Sequence, residues 1–192
     1  MKREELQEIL KDCPLIAAVK DEHGLKKALN CPCKVVFVLF GNVMNIRAIV
    51  KALKDAGKTV FVHIDLIEGL SAKEVAVEYL ARTTGTDGIL STKQMLIKSA
   101  AAHGLLTIQR FFLIDSLALD TLKKQLNNDA LDVLEILPGV CASVISEIVR
   151  LTDKPVIASG LLRTKEEVKQ ALSAGASAVS GTNFELWQEI GC

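Results

Sequence analysis

The polar residues of this chain that could do chemistry are few, and most of them fall late in a short apolar run. Lys20 closes LIAAVK, His63 and Asp65 interrupt TVFVHIDL, Ser91-Thr92-Lys93 ends GILS, Gln109-Arg110 falls late in LLTIQRF, and Glu135 sits inside VLEIL. Such groups could pair as guanidinium and carboxylate, act as general acid and base, or hold hydroxyls. His63, Asp65 and Glu135 could also coordinate a divalent ion, but Lys20 or Arg110 would satisfy the same carboxylates, and no metal is expected. Two further runs end in small residues, Ser159-Gly160 and Ser180-Gly181-Thr182. Small residues leave backbone N–H groups open to an anion, so Ser159, Gly160, Ser180, Gly181 and Thr182 are the candidate phosphate ligands. Lys20, His63, Asp65, Arg110 and Glu135 are the candidates for the rest of a bound molecule.

Eight apolar runs could position these residues: Leu15–Lys20, Val35–Phe40, Thr59–Leu66, Gly88–Ser91, Leu105–Phe111, Val133–Leu137, Pro155–Ser159 and Ala178–Gly181. Near-continuous apolar texture of this kind suits parallel strands covered by helices. Between them, Ile46, Ile49, Val50 and Leu53 mark one face of a helix within Asn42–Ala56, and Val144, Ile145, Ile148 and Val149 repeat the spacing. Ser71 with Glu74 and Thr164 with Glu167 are spaced as capping boxes, and Gly57, Gly104 and Gly175 stand where helix C-caps are needed. Strict alternation over eight units, behind an extra N-terminal helix at about Glu4–Asp12, predicts a compact (β/α)8 TIM barrel over a single domain, residues 1–192. An open doubly wound sheet is the alternative. Barrel sites lie at the C-terminal ends of the strands, where the polar residues above fall. Alternation turns Phe61, His63 and Asp65 inward, with Val60, Val62, Ile64 and Leu66 toward the helices. On the fifth strand the same count gives Thr107 and Gln109 the inward face unless a bulge intervenes, leaving the direction of Arg110 open.

Composition excludes several function classes. The 192 residues carry 23 Lys+Arg against 23 Asp+Glu, and only 4% are aromatic. Binding to nucleic acid through bulk charge or an open stacking platform is therefore disfavoured. A localised basic stripe, Arg47, Lys51, Lys54 and Lys58, is the candidate RNA contact, set against an ordinary solvated helix face. The N-terminus has no apolar signal region and no stretch approaches about 18 apolar residues, so a cytoplasmic protein with no membrane partner is expected. Five cysteines, an odd number, are expected to be reduced, and Cys31-Pro32-Cys33 lacks the spacing of a zinc knuckle. No nucleotide-binding glycine motif is present, and no cofactor is expected.

The strand ends resemble the glycerol-3-phosphate-responsive antiterminator family. The matching stretches are Val62-His-Ile-Asp-Leu-Ile-Glu-Gly-Leu70, Gly88-Ile-Leu-Ser-Thr-Lys93, Ile108-Gln-Arg-Phe-Phe-Leu-Ile-Asp-Ser116, Glu135-Ile-Leu-Pro-Gly139, Ser159-Gly-Leu161 and Asn183-Phe-Glu-Leu-Trp187. Ser159-Gly160 stands where the family tends to Gly-Gly, a departure that stays small. The resemblance implies a non-enzymatic barrel that binds glycerol-3-phosphate, with the hydroxyls near His63, Asp65 and Glu135. It also implies association with leader mRNA of glycerol-utilisation operons, preventing a terminator hairpin from ending transcription. A homodimer is left open. The residues alone also allow a small phosphosugar isomerase or aldolase, with Glu135 or Asp65 as base, His63 as acid and Arg110 as charge stabiliser. A module that binds another protein would need only the same pocket. On the sequence, Ser159→Asp is expected to abolish ligand binding and leave the fold intact.

Overall fold

Eight strands pair in parallel, each with its sequence neighbour, and β8 returns to β1, so the sheet has no free edge in the computed structural model, which describes residues 1–189. The strands are β1 (Leu15–Val19), β2 (Val35–Val38), β3 (Thr59–His63), β4 (Gly88–Ser91), β5 (Leu106–Phe112), β6 (Val133–Leu137), β7 (Val156–Ser159) and β8 (Ala178–Gly181). Closure decides for the TIM barrel over the open sheet. Before β1 lies α1 (Arg3–Asp12); between consecutive strands run α2 (Glu22–Asn30), α3 (Ile46–Asp55), α4 (Glu74–Thr83), α5 (Gln94–Ala102), α6 (Ser116–Gln125), α7 (Ala142–Val149) and α8 (Lys165–Ser173), and α9 (Phe184–Glu189) follows β8.

Strand alternation divides the core in two. Ile16, Phe37, Phe61, Leu90, Ile108 and Ile157 fill the barrel, while Val36, Val60, Val62, Ile89, Leu134 and Val179 face the helices. The interior set also contains Leu6 and Leu10, four residues apart on one face of α1 and each 1% exposed. The extra helix therefore plugs the N-terminal mouth of the barrel. Burial of each leucine stabilises by roughly 1.5–3 kcal/mol. At Gly88 a β-carbon would stand 2.3 Å from the Leu106 carbonyl oxygen and 2.5 Å from the Phe61 ring, so only glycine lets that ring pass under β4.

Two local expectations change. The run Thr59–Leu66 is a strand only to His63; Ile64–Leu66 is a single 3-10 turn, which carries Asp65 off the sheet. The capping box at Thr164 and Glu167 is present, but Ser71 and Glu74 form none: Leu70 N–H still donates to the Ile67 carbonyl, and α4 starts at Glu74 behind Lys73. Among the described residues, no helix is long and apolar enough to cross a membrane.

Candidate functional site

Glu135 is fully buried at the centre of the strand ends. Its carboxylate accepts from Arg110 Nε at 2.7 Å and a second guanidinium nitrogen at 3.2 Å, from Ser159 Oγ at 2.6 Å and from Ser180 Oγ at 3.2 Å. The two serine hydroxyls are themselves 2.6 Å apart. One carboxylate thus ties β5, β7 and β8 to β6. The pairing settles the direction of Arg110: it lies beside Glu135 in the β5–β6 register and faces inward, without a bulge. Thr107 and Gln109 face outward instead. Thr107 bonds Asp132 and the Ala130 carbonyl, and Gln109 donates to Gln125 of α6, so each finds its polar partner on the helix side.

His63 and Asp65 sit across the barrel from this cluster in a separate arrangement. Asp65 accepts from Ser91 Oγ at 2.9 Å and from Thr92 N–H at 2.8 Å, which fastens the turn after β3 to the end of β4. Lys93 Nζ stands 3.6 Å from its other oxygen. His63 is 3% exposed, its Nδ1 has no hydrogen-bond partner and lies 3.8 Å from Asp65. Burial and then the Arg110 charge lower its pKa to about 4, against a smaller opposing pull from Asp65. It is therefore neutral at pH 7. A histidine whose folded pKa lies below its unfolded value favours folding fully above about 6.5, and that contribution is lost as pH falls toward 4. We expect roughly 3 kcal/mol to disappear over that window. Denaturant unfolding of wild type and His63→Gln at both pH values checks it, the variant having a shallower slope.

The small-residue loops enclose a cavity of about 170 Å³. It is lined by Ser159, Gly160, Ser180, Gly181 and Thr182, by Arg110, and by the apolar Ala18, Leu39, Leu137, Leu161 and Leu162. Gly160 and Leu161 both have positive φ, 79° and 62°. Left-handed backbone is strained for leucine and concentrates at functional sites. Gly139, from the loop after β6, packs so tightly on this turn that a β-carbon would lie 2.7 Å from Ser159 N. A β-carbon at Gly181, by contrast, would meet nothing within 4 Å. The N-terminus of α8 offers this cavity little, because Glu167 already accepts from Arg163 and Thr164 N–H.

Of the ten residues singled out from sequence, six thus line one cavity, and Glu135 lies beneath it holding Arg110, Ser159 and Ser180. Lys20 is exposed and absent from the lining, as are His63 and Asp65. Leu161 was not foreseen, since nothing in its type announces a left-handed residue. Among the described residues no group of three or more His, Cys, Asp or Glu could hold a metal ion. Arg110 takes the role beside Glu135 that an ion would have had.

The basic stripe does not survive as a surface. Lys58 is 9% exposed and donates to the Cys31 and Cys33 carbonyls at 2.6 and 2.9 Å, because it follows the helix and turns under the barrel. Lys54 pairs with Asp87 and Lys51 with Asp55, both at 2.6 Å. Only Arg47 remains an exposed cation of the four without an ion pair among the described residues. The expectation of five thiols is also corrected. Cys31, Cys33 and Cys141 are free, Cys13 is disulfide-bonded, and Cys192 lies outside the described residues. Odd number and domain size describe cysteines on average and do not constrain one position.

Residues 15–187 match the model of the family described as glycerol-3-phosphate responsive antiterminator. The chain belongs to that family. Escherichia coli strain K12 has a relative, YgcP, that is 41% identical over 182 residues, 95% of each chain. The crystal structure of the glycerol uptake operon antiterminator regulatory protein of Listeria monocytogenes superposes with a TM-score of 0.88 at 33% identity, covering 92% of this chain and 95% of that one. An antiterminator-related protein of Thermotoga maritima gives 0.80 at 34% identity, over 90% and 96%. The N-acetylmannosamine-6-phosphate 2-epimerase of Clostridium perfringens gives 0.71 at 16% identity, over 91% and 88%, which shows the shared barrel alone. Family membership supports an antiterminator role for the chain.

Proposed function

We propose that this protein binds glycerol-3-phosphate in the β7–β8 cavity and, so loaded, associates in the cytoplasm with leader mRNA of glycerol-utilisation operons. The observation that supports this reading best is the cavity itself. It joins a left-handed Gly160–Leu161 turn, an unfilled space at Gly181 and the Arg110 guanidinium, whose third nitrogen is not used by Glu135. Backbone N–H groups of the two loops would hold the phosphate and Arg110 would complete its charge. The glycerol hydroxyls would lie toward Glu135 and across to His63. Ligand gating requires that the RNA-competent state bind glycerol-3-phosphate more tightly than the other.

Thermal melting tests the first half. Glycerol-3-phosphate at about a hundred times its Kd adds roughly 2.7 kcal/mol, a rise of roughly 5–10 °C for a chain of this size, and glycerol alone adds none. Gly181→Ala is expected to melt within about 1 °C of wild type, because its methyl meets no protein atom. The same methyl fills the ligand's space and removes the shift. A full shift in the variant would move the phosphate away from β8. Electrophoretic retardation of leader RNA with and without ligand tests the second half, and equal binding in both would refute gating.

The competing reading, a phosphosugar isomerase or aldolase, finds less support. The Glu135 oxygens already accept four hydrogen bonds from protein groups, and His63 Nδ1 has no orienting partner. Turnover of triose or pentose phosphates that is abolished by Glu135→Gln would favour that reading instead.

A further inference from the structure

The opposite end of the barrel holds a feature that ligand binding does not use. Cys31 and Cys33 flank Pro32 in the turn between α2 and β2, and both are free thiols, 4% and 0% exposed. The two side chains are neighbours, with Cys31 Sγ 3.3 Å from the Ala28 carbonyl oxygen and Cys33 Sγ 4.0 Å from that of Trp187. Lys58 straddles the turn, its ammonium donating to both cysteine carbonyls. No carboxylate pairs with this buried ammonium among the described residues, and an uncompensated buried charge is costly. The ammonium charge acts on the two thiols of the turn. Accordingly the Cys31 thiol is lowered to about 6, first by the hydrogen bond from Cys33 and also by the Lys58 charge, while Cys33 is raised. A thiolate with a protonated thiol in contact is the arrangement of an attacking and a resolving cysteine.

We propose that Cys31 and Cys33 form an oxidative modification site, a dithiol that a hydroperoxide converts into an intramolecular disulfide. The Cys31 sulfur attacks one peroxide oxygen, the O–O bond breaks, and hydroxide leaves, giving a sulfenic acid. The Cys33 sulfur then attacks the Cys31 sulfur; the S–O bond breaks and water departs with the Cys33 proton. The dithiol loses two electrons, and one hydrogen peroxide becomes one water and one hydroxide, which takes up the proton that the Cys31 thiol released on ionising. The oxidant must be small, because the sulfurs are nearly enclosed. Closing the disulfide also takes the Cys33 sulfur from its contact with the Trp187 carbonyl in α9.

The test treats the full-length protein with limiting hydrogen peroxide at pH 7, blocks remaining thiols by alkylation and follows the tryptic peptide 28–34, which carries both cysteines. The expected result is a peptide two hydrogens lighter that takes no alkyl group, restored by dithiothreitol. It should form before the exposed Cys141 is oxidised. In Cys33→Ala the reaction should stop at the sulfenic acid, trapped on Cys31 by dimedone, and in Lys58→Met oxidation should slow several-fold. A peptide that still takes two alkyl groups after Cys141 has reacted overturns the proposal. So does the absence of a dimedone adduct in Cys33→Ala, a readout that stands even where Lys58→Met fails to fold. None of these measurements depends on glycerol-3-phosphate binding.

Discussion

Glu135→Leu is expected to lower stability by about 3–5 kcal/mol, or roughly 10 °C in Tm, although leucine is close to glutamate in size and the site is fully buried. The loss comes from what is left behind. Arg110, 11% exposed on its side chain, keeps its charge with no carboxylate to meet it, and the Ser159 and Ser180 hydroxyls lose their acceptor. Removing one member of a buried pair is much costlier than removing both. The double variant Arg110→Met, Glu135→Leu should therefore recover most of the lost stability while still failing to bind glycerol-3-phosphate. Denaturant unfolding of the two single variants and the double gives the coupling directly. If the double variant were as unstable as Glu135→Leu, Glu135 would be holding β7 and β8 through its serines alone, and Arg110 would be a bystander.

That cluster marks how far sequence reasoning reaches. Strand parity was legible on β3, where one face is uniformly aliphatic and the inward direction of His63 follows by elimination. It was illegible on β5, where Leu106, Ile108 and Arg110 share one face and Thr107, Gln109 and Phe111 the other. Both faces there mix polar with apolar residues, and the deciding partners, Asp132 and Gln125, lie about twenty residues away. The loops after β7 and β8 were legible as small residues, yet composition could not say which of their atoms face outward. Ser159 and Ser180 look like hydroxyl ligands in the sequence; in the fold their hydroxyls point at Glu135, so the outer side of the loops is left to backbone and Thr182. The basic stripe failed for a related reason. A spacing of four, three and four places side chains on one helix only while the helix lasts, and α3 ends at Asp55, so Lys58 answers to the turn beneath the barrel and not to the helix face.

The same geometry reverses the expectation for Ser159→Asp. A new carboxylate at this 2%-exposed position would stand where the serine hydroxyl now lies, 2.6 Å from a Glu135 oxygen. Two carboxylates at such a distance do not both ionise without a large penalty, so one is forced to hold a proton. The variant should lose more than about 3 kcal/mol at pH 7 and the ligand shift with it, a folding lesion as well as a binding one. The sign with pH follows from linkage. The new carboxyl has its folded pKa raised above the unfolded value near 4, so its penalty is absent below that pH and grows as pH rises through the folded pKa. Unfolding of wild type and variant at pH 4.5 and 7.5 should accordingly show a gap that is wider at the higher pH. Ser159→Ala separates the two lesions: it removes only a hydroxyl bonded inward, at about 1 kcal/mol, and should keep the full glycerol-3-phosphate shift. Loss of that shift in Ser159→Ala would mean that the hydroxyl, and not the loop backbone, holds the phosphate.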